Sequence, residues 1–133
     1  MKNYRVLIAD DNEKHSIWLS SALQEFSDLE LVGQCSNGKQ AVEEIISLKP
    51  NLLFLDIEMP GLNGFEVLDK LDDPPVTIIY TQFAEKYSEQ AFVDYDAKGL
   101  LPKGFSEKQF RKSLNRATQV LSQPDAKAQR LAD

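Results

Sequence analysis

The chain has 133 residues, 42% of them hydrophobic and 27% charged, with only 6 Gly and 6 Pro, which excludes a disordered or fibrous protein. Its length suits one ordinary domain of about 100–200 residues, able to bury a core without a disulfide or structural metal. A net charge of −6 argues against binding a phosphate backbone through the bulk field, and the single Cys35 excludes an internal disulfide.

The first strand-like run is Tyr4-Arg5-Val6-Leu7-Ile8-Ala9. It follows the N-terminus without a secretory apolar stretch, and no later run approaches the ~18 residues of a membrane span. The chain is therefore expected in the cytoplasm, with no membrane contact and no direct nucleic-acid binding. Leu19, Ala22, Leu23 and Phe26 recur at helical spacing, giving one apolar face. Leu29 to Cys35 is predicted as a second strand. Ala41, Val42, Ile45 and Ile46 mark a helix that stops before Pro50, because the residue preceding a proline is pushed out of the helical region. Leu52-Leu53-Phe54-Leu55 is continuously apolar, as in a strand covered on both faces. A short helix is predicted over Gly64 to Leu71, ended by Asp72-Asp73-Pro74-Pro75. Val76 to Tyr80 is the fourth strand, a helix carrying Tyr87, Ala91 and Phe92 follows, and a brief fifth strand lies near Gly99-Leu100-Leu101. The last helix carries Phe110, Leu114, Ala117 and Leu121, and from Ser122 to Asp133 the stripe thins. We expect one domain over 1–121, with 122–133 a helix end or linker.

Strands alternating with helices predict an α/β fold, a doubly wound parallel sheet with helices on both faces. In such a sheet ligands bind beyond the carboxyl ends of the strands. The polar residues at those ends are Asp10-Asp11, Asp56, Thr81 and Lys103, after the first, third, fourth and fifth strands. Carboxylates sharing a pocket repel unless a cation compensates, and oxygen ligands with room for water and phosphate oxygen suit Mg²⁺. A hydroxyl and an ammonium beside the metal can hold phosphoryl oxygens, leaving Asp56 as a nucleophile that forms an acyl phosphate. Singly, each residue has a plainer reading: Asp10, Asp11 or Asn12 as a helix cap, Thr81 as a turn residue, Lys103 as a solvated charge. His15 has no partner His or Cys and is assigned to the surface or to packing. Cys35 is read as a small buried residue, and Trp18, Phe92 and Phe110 as packing.

The combination of Val6-Leu7-Ile8-Ala9-Asp10-Asp11, Leu55-Asp56-Ile57-Glu58-Met59-Pro60-Gly61, Asn63-Gly64-Phe65-Glu66-Val67-Leu68, Ile78-Ile79-Tyr80-Thr81 and Lys103 resembles the receiver domain of bacterial two-component response regulators, from about Tyr4 to Leu121. The resemblance implies a flavodoxin-like sheet of strand order 2-1-3-4-5. It implies that Asp56 accepts a phosphoryl group from a sensor histidine kinase or phosphotransfer protein. Asp10, Asp11, Asp56 and the backbone carbonyl of Glu58 would bind Mg²⁺, while Thr81 and Lys103 would hold phosphoryl oxygens. It also implies a switching face on the fourth helix, fifth strand and fifth helix, able to form a homodimer. Such a domain catalyses only its own phosphorylation and slow dephosphorylation. Leu71 to Pro75, Tyr80-Thr81-Gln82-Phe83, Tyr87 and Ala91-Phe92 more loosely resemble receivers joined to LytTR-type DNA-binding domains.

Three positions depart from the family pattern. Gly104 replaces the proline after the conserved lysine, Leu100 stands at the aromatic switch position, and Gln82 occupies a place usually small. The first departure predicts a trans peptide and a differently aimed Lys103, since a cis bond before a non-proline costs about 2.5–4 kcal/mol. The alternative functional reading is a receiver-like interaction or dimerisation module that works without phosphate. A phosphohydrolase using Asp10 as nucleophile would need a second acidic motif at a strand end beyond Lys103, where the sequence offers only Glu107, Asp125 and Asp133.

Overall fold

The structure is a computed structural model describing residues 4–123. Five parallel strands form one sheet in the order β2-β1-β3-β4-β5. They are β1 (Tyr4–Ala9), β2 (Leu29–Cys35), β3 (Leu52–Asp56), β4 (Val76–Thr81) and β5 (Gly99–Pro102). The helices are α1 (Glu13–Leu23), α2 (Gly38–Leu48), α3 (Gly64–Asp69), α4 (Ala84–Glu89) and α5 (Glu107–Leu121). The predicted linker from Ser122 is described only to Gln123, and its remainder lies outside the described residues.

The central strands show why this order is stable. All five residues of β3 are buried, as are Val6 to Ala9 of β1, so alternate side chains enter cores on opposite faces. One core gathers Leu7, Leu53, Leu55, Ile79 and Phe65 under α2, α3 and α4. The other gathers Ile8, Phe54, Ile78, Leu19 and Leu114 under α1 and α5. Phe110 anchors the second core, with its ring 5.9–6.0 Å from those of Trp18, Phe26, Phe54 and Phe105. Trp18 therefore packs although it is 47% exposed.

Local chemistry sets the helix starts. Asn12, Asn37, Asn63 and Ser106 cap α1, α2, α3 and α5 through side-chain oxygens that accept from backbone N–H groups of the first turn. Asn63 with Glu66 and Ser106 with Gln109 complete reciprocal capping boxes. The predicted single helix around Tyr87 and Phe92 differs in detail: α4 ends at Glu89 and continues as a π turn over Gln90–Asp94. Tyr95 N–H closes that turn by donating to Gln90 O, an i to i+5 bond. Its ring stacks on Phe65 at 4.7 Å and its hydroxyl donates to Asp69, so contacts with α3 place the extra residue.

Candidate functional site

Strand order reverses at β1 and β3, and the crevice beyond their carboxyl ends holds the acidic residues. Asp10 leaves β1 with its N–H donating to Cys35 O, which ties the loop to β2. Its Oδ1 accepts from Asn12 N–H at 2.9 Å. Asp56 is the last residue of β3 and Thr81 the last of β4, and both are fully buried. Lys103 follows β5 directly, its N–H donating to Thr81 O at 3.0 Å. Strand ends thus converge the predicted residues on one edge.

Carboxylate oxygens of Asp10, Asp11 and Asp56 lie within 4.8 Å of one another, and Asp11 is exposed while the other two are buried. Asp10 Oδ2 is buried without a hydrogen-bond donor, and His15 Nδ1, 3.4 Å away, lies outside hydrogen-bond geometry. Three carboxylates with one open side and an unsatisfied buried oxygen fit a hard, oxygen-seeking divalent cation such as Mg²⁺. Burial, with Asp10 alongside, pushes the Asp56 carboxyl up to about 8, against the opposing pull of Lys103. Lys103 Nζ donates to Asp56 Oδ2 at 3.1 Å and lies 3.9 Å from Asp10 Oδ1.

The expectation that Lys103 would be aimed elsewhere is corrected here. All peptide bonds among the described residues are trans, yet the ammonium reaches Asp56. Gly104 has φ +85°, a value that proline cannot adopt and other L-residues rarely do, so the turn after Lys103 depends on glycine while the ammonium still contacts Asp56. Gly64 solves a second problem. A Cβ there would sit 2.6 Å from the carbonyl oxygen of Asp56, so only glycine lets α3 start against the Asp56 loop.

Two side chains enter the site that sequence reasoning did not place there. His15, assigned to the surface or to packing, stands on the first turn of α1 beside Asp10, and its distance of five residues from that carboxylate was the available signal. Glu58 was expected to contribute a backbone carbonyl, but its carboxylate Oε1 also accepts a hydrogen bond from the Thr81 hydroxyl. Thr81 Oγ1 in turn accepts from Phe83 N–H at 3.1 Å, just ahead of α4. Tyr80 Oη is buried with no hydrogen-bond partner, and burial together with Asp10 raises its proton affinity. Gln82 is exposed. Cys35 is buried as expected, its thiol pushed up to about 12 by burial and by Glu44.

Residues 6–115 match the family described as the response regulator receiver domain. The chain is 37% identical over 121 residues to the sensory transduction protein LytT of Oceanobacillus iheyensis, covering 88% of this chain and 49% of that protein. It is 38% identical over 123 residues to the transcriptional regulatory protein BtsR of Escherichia coli K12, covering 91% and 51%. The chain therefore spans about half the length of these curated relatives. The response regulator domain of Thermotoga maritima CheB superposes with a TM-score of 0.75 at 27% identity, over 89% of this chain and 96% of that one. The response regulatory domain of protein mrkE from Klebsiella pneumoniae shares the fold with a TM-score of 0.80 at 23% identity, over 90% and 98%. With LytT and BtsR as relatives, the looser resemblance to LytTR-type regulators holds as well. This chain belongs to the receiver domain family of two-component response regulators.

Proposed function

We propose that Asp56 is the phosphoacceptor of this receiver and that the phosphoryl group comes from the phosphohistidine of a sensor histidine kinase or phosphotransfer protein. The observation that carries this reading is a buried Asp56 carboxyl flanked by Lys103 and by the carboxylates of Asp10 and Asp11. An Asp56 oxygen attacks phosphorus, the P–N bond to the donor imidazole breaks, and an acyl phosphate forms. Attack by water on phosphorus later returns Asp56 and inorganic phosphate. Asp10, Asp11, Asp56 and the Glu58 backbone carbonyl would hold Mg²⁺, which supplies charge neutralisation for the carboxylates and phosphoryl oxygens. Lys103 donates to one phosphoryl oxygen and the Thr81 hydroxyl to another.

The output is a population shift. Moving a two-state domain from 1:99 to 99:1 requires about 5.5 kcal/mol of differential stabilisation, which the new contacts to the phosphoryl charge supply. The surface responding to it is the α4-β5-α5 face, where Phe92, Leu100, Lys112 and Arg116 line a shallow groove. That face also offers a homodimer contact, with Val93 72% exposed beside it. Relatives named for sensory transduction and transcriptional regulation support a cytoplasmic role upstream of gene expression. No helix among the described residues is long and apolar enough to cross a membrane. The domain's chemistry is confined to its own phosphorylation and dephosphorylation.

The test is intact mass after incubation with acetyl phosphate, with Mg²⁺ or with EDTA, beside Asp56→Asn. One added phosphoryl group in the wild type with Mg²⁺, and none in the other arms, is the expected result. No gain, with Mg²⁺ binding demonstrated separately, would move the assignment to a phosphate-independent interaction module, the reading that Leu100 at the switch position favours.

A further inference from the structure

The hydrogen bond from Thr81 to Glu58 joins the loop after β3 to the end of β4 across a buried position. A threonine hydroxyl carries a single proton. It can donate to the Glu58 carboxylate or to a phosphoryl oxygen, but not to both. Glu58 Oε2 is itself buried without a partner, so nothing among the described residues other than Thr81 holds this carboxylate at the site by a hydrogen bond. The same Thr81 oxygen accepts from Phe83 N–H, at the position where α4 begins and where no side chain caps the helix. Turning the Thr81 side chain about its Cα–Cβ bond carries this oxygen away from Phe83 N–H, so such a reorientation disturbs the start of α4 as well.

We infer that the Glu58 side chain is a latch: it occupies the Thr81 hydroxyl in the resting domain and must be displaced before Thr81 can bind a phosphoryl oxygen. This rests on the proposed phosphoacceptor role of Asp56. Displacement couples two events, because the hydroxyl leaves Glu58 as it turns toward the new acceptor and its bond to Phe83 is remade or lost in the same motion. Glu58 is thus a positioning residue that sets how readily the domain enters its phosphorylated state.

Beryllofluoride, a non-covalent phosphoryl mimic, tests this at equilibrium with Mg²⁺ present, using the full chain. Glu58→Ala is expected to bind it about tenfold more tightly than wild type, the scale of one lost charge-assisted hydrogen bond. In a Thr81→Val background, which keeps the volume and removes the hydroxyl, the Glu58 substitution is expected to have no effect. Thr81→Ser is expected to restore it. Equal or weaker binding by Glu58→Ala overturns the latch while leaving the phosphoacceptor reading intact. A gain that persists in Thr81→Val also overturns it, since the effect is then charge repulsion alone. Absence of beryllofluoride binding in every variant, wild type included, removes the phosphoacceptor reading and the latch together.

Discussion

Lys103 Nζ sits 3.1 Å from Asp56 Oδ2 although glycine, not proline, follows the lysine. The same ammonium lies 3.9 Å from Asp10 Oδ1, so one cation bridges two buried carboxylates at the point where strand order reverses. Burial and Asp10 raise the Asp56 carboxyl to about 8, and Lys103 is what limits the rise. Lys103→Met is therefore expected to move the Asp56 titration midpoint further up in the metal-free protein. Carbon-13 NMR of the labelled carboxyl would read it, and a midpoint that stays put or falls contradicts the bridging role.

The raised carboxyl also dictates how stability varies with pH. In the unfolded chain Asp56 ionises near its ordinary value of 3.8, whereas in the metal-free fold it holds its proton to about 8. Between those values the folded state binds more protons than the unfolded one, so this group's contribution to stability falls as pH rises through the window. Asp56→Asn cannot ionise and escapes the loss. We expect its melting temperature in EDTA to exceed that of wild type by an amount that grows from pH 5 to 8. Each pH unit inside the window costs the wild type up to about 1.4 kcal/mol, so near neutral pH the gap should be on the order of a few kcal/mol. Saturating Mg²⁺ should close it, because binding only the native wild-type site stabilises that site alone.

The close approach of α3 to the Asp56 loop gives a steric prediction. At Gly64 an added methyl would meet backbone atoms, the Asp56 carbonyl oxygen at 2.6 Å and Ile57 Cα at 3.0 Å. No rotamer change can relieve such contacts. Gly64→Ala should cost about 1–3 kcal/mol, the usual scale for overpacking. It should also weaken Mg²⁺ binding, since relief requires the Asp56 loop to move. Urea denaturation and a Mg²⁺ titration check the two halves separately.

Much of this architecture was legible in the sequence. The unbroken apolar run of β3 reported a strand covered on both faces, and polar residues at strand ends indicated a shared edge. Other features were hidden because they depend on residues distant in sequence. The π turn over Gln90–Asp94 is set by Tyr95 stacking on Phe65 in another helix, which no local pattern encodes. The Glu58 carboxylate was masked by the motif around it, where only a backbone carbonyl was expected, and its partner Thr81 is 23 residues away. His15 was assigned to the surface or to packing because an isolated histidine carries no pattern until α1 brings it beside Asp10.

The second core has a single hub. Phe110 is 2% exposed and its ring lies about 6 Å from those of Trp18, Phe26, Phe54 and Phe105, linking α1, β3 and α5. Phe110→Ala should destabilise the fold by about 3–5 kcal/mol through lost burial and the cavity left behind. Because Phe110 contributes no group to the Asp10, Asp11 and Asp56 cluster, the Mg²⁺ affinity of the folded fraction should be little changed. Calorimetry with a parallel Mg²⁺ titration would show both.

The most direct test of the account is to locate the phosphoryl group. Wild-type protein is incubated with acetyl phosphate and Mg²⁺, treated with borohydride to reduce any acyl phosphate, digested, and mapped by mass. Conversion of Asp56 to homoserine, with Asp10 and Asp11 unmodified and no conversion in Asp56→Asn, is the predicted outcome. Reduction at Asp10 or Asp11, or an unmodified map from protein shown to bind Mg²⁺, would contradict the assignment of Asp56 as phosphoacceptor.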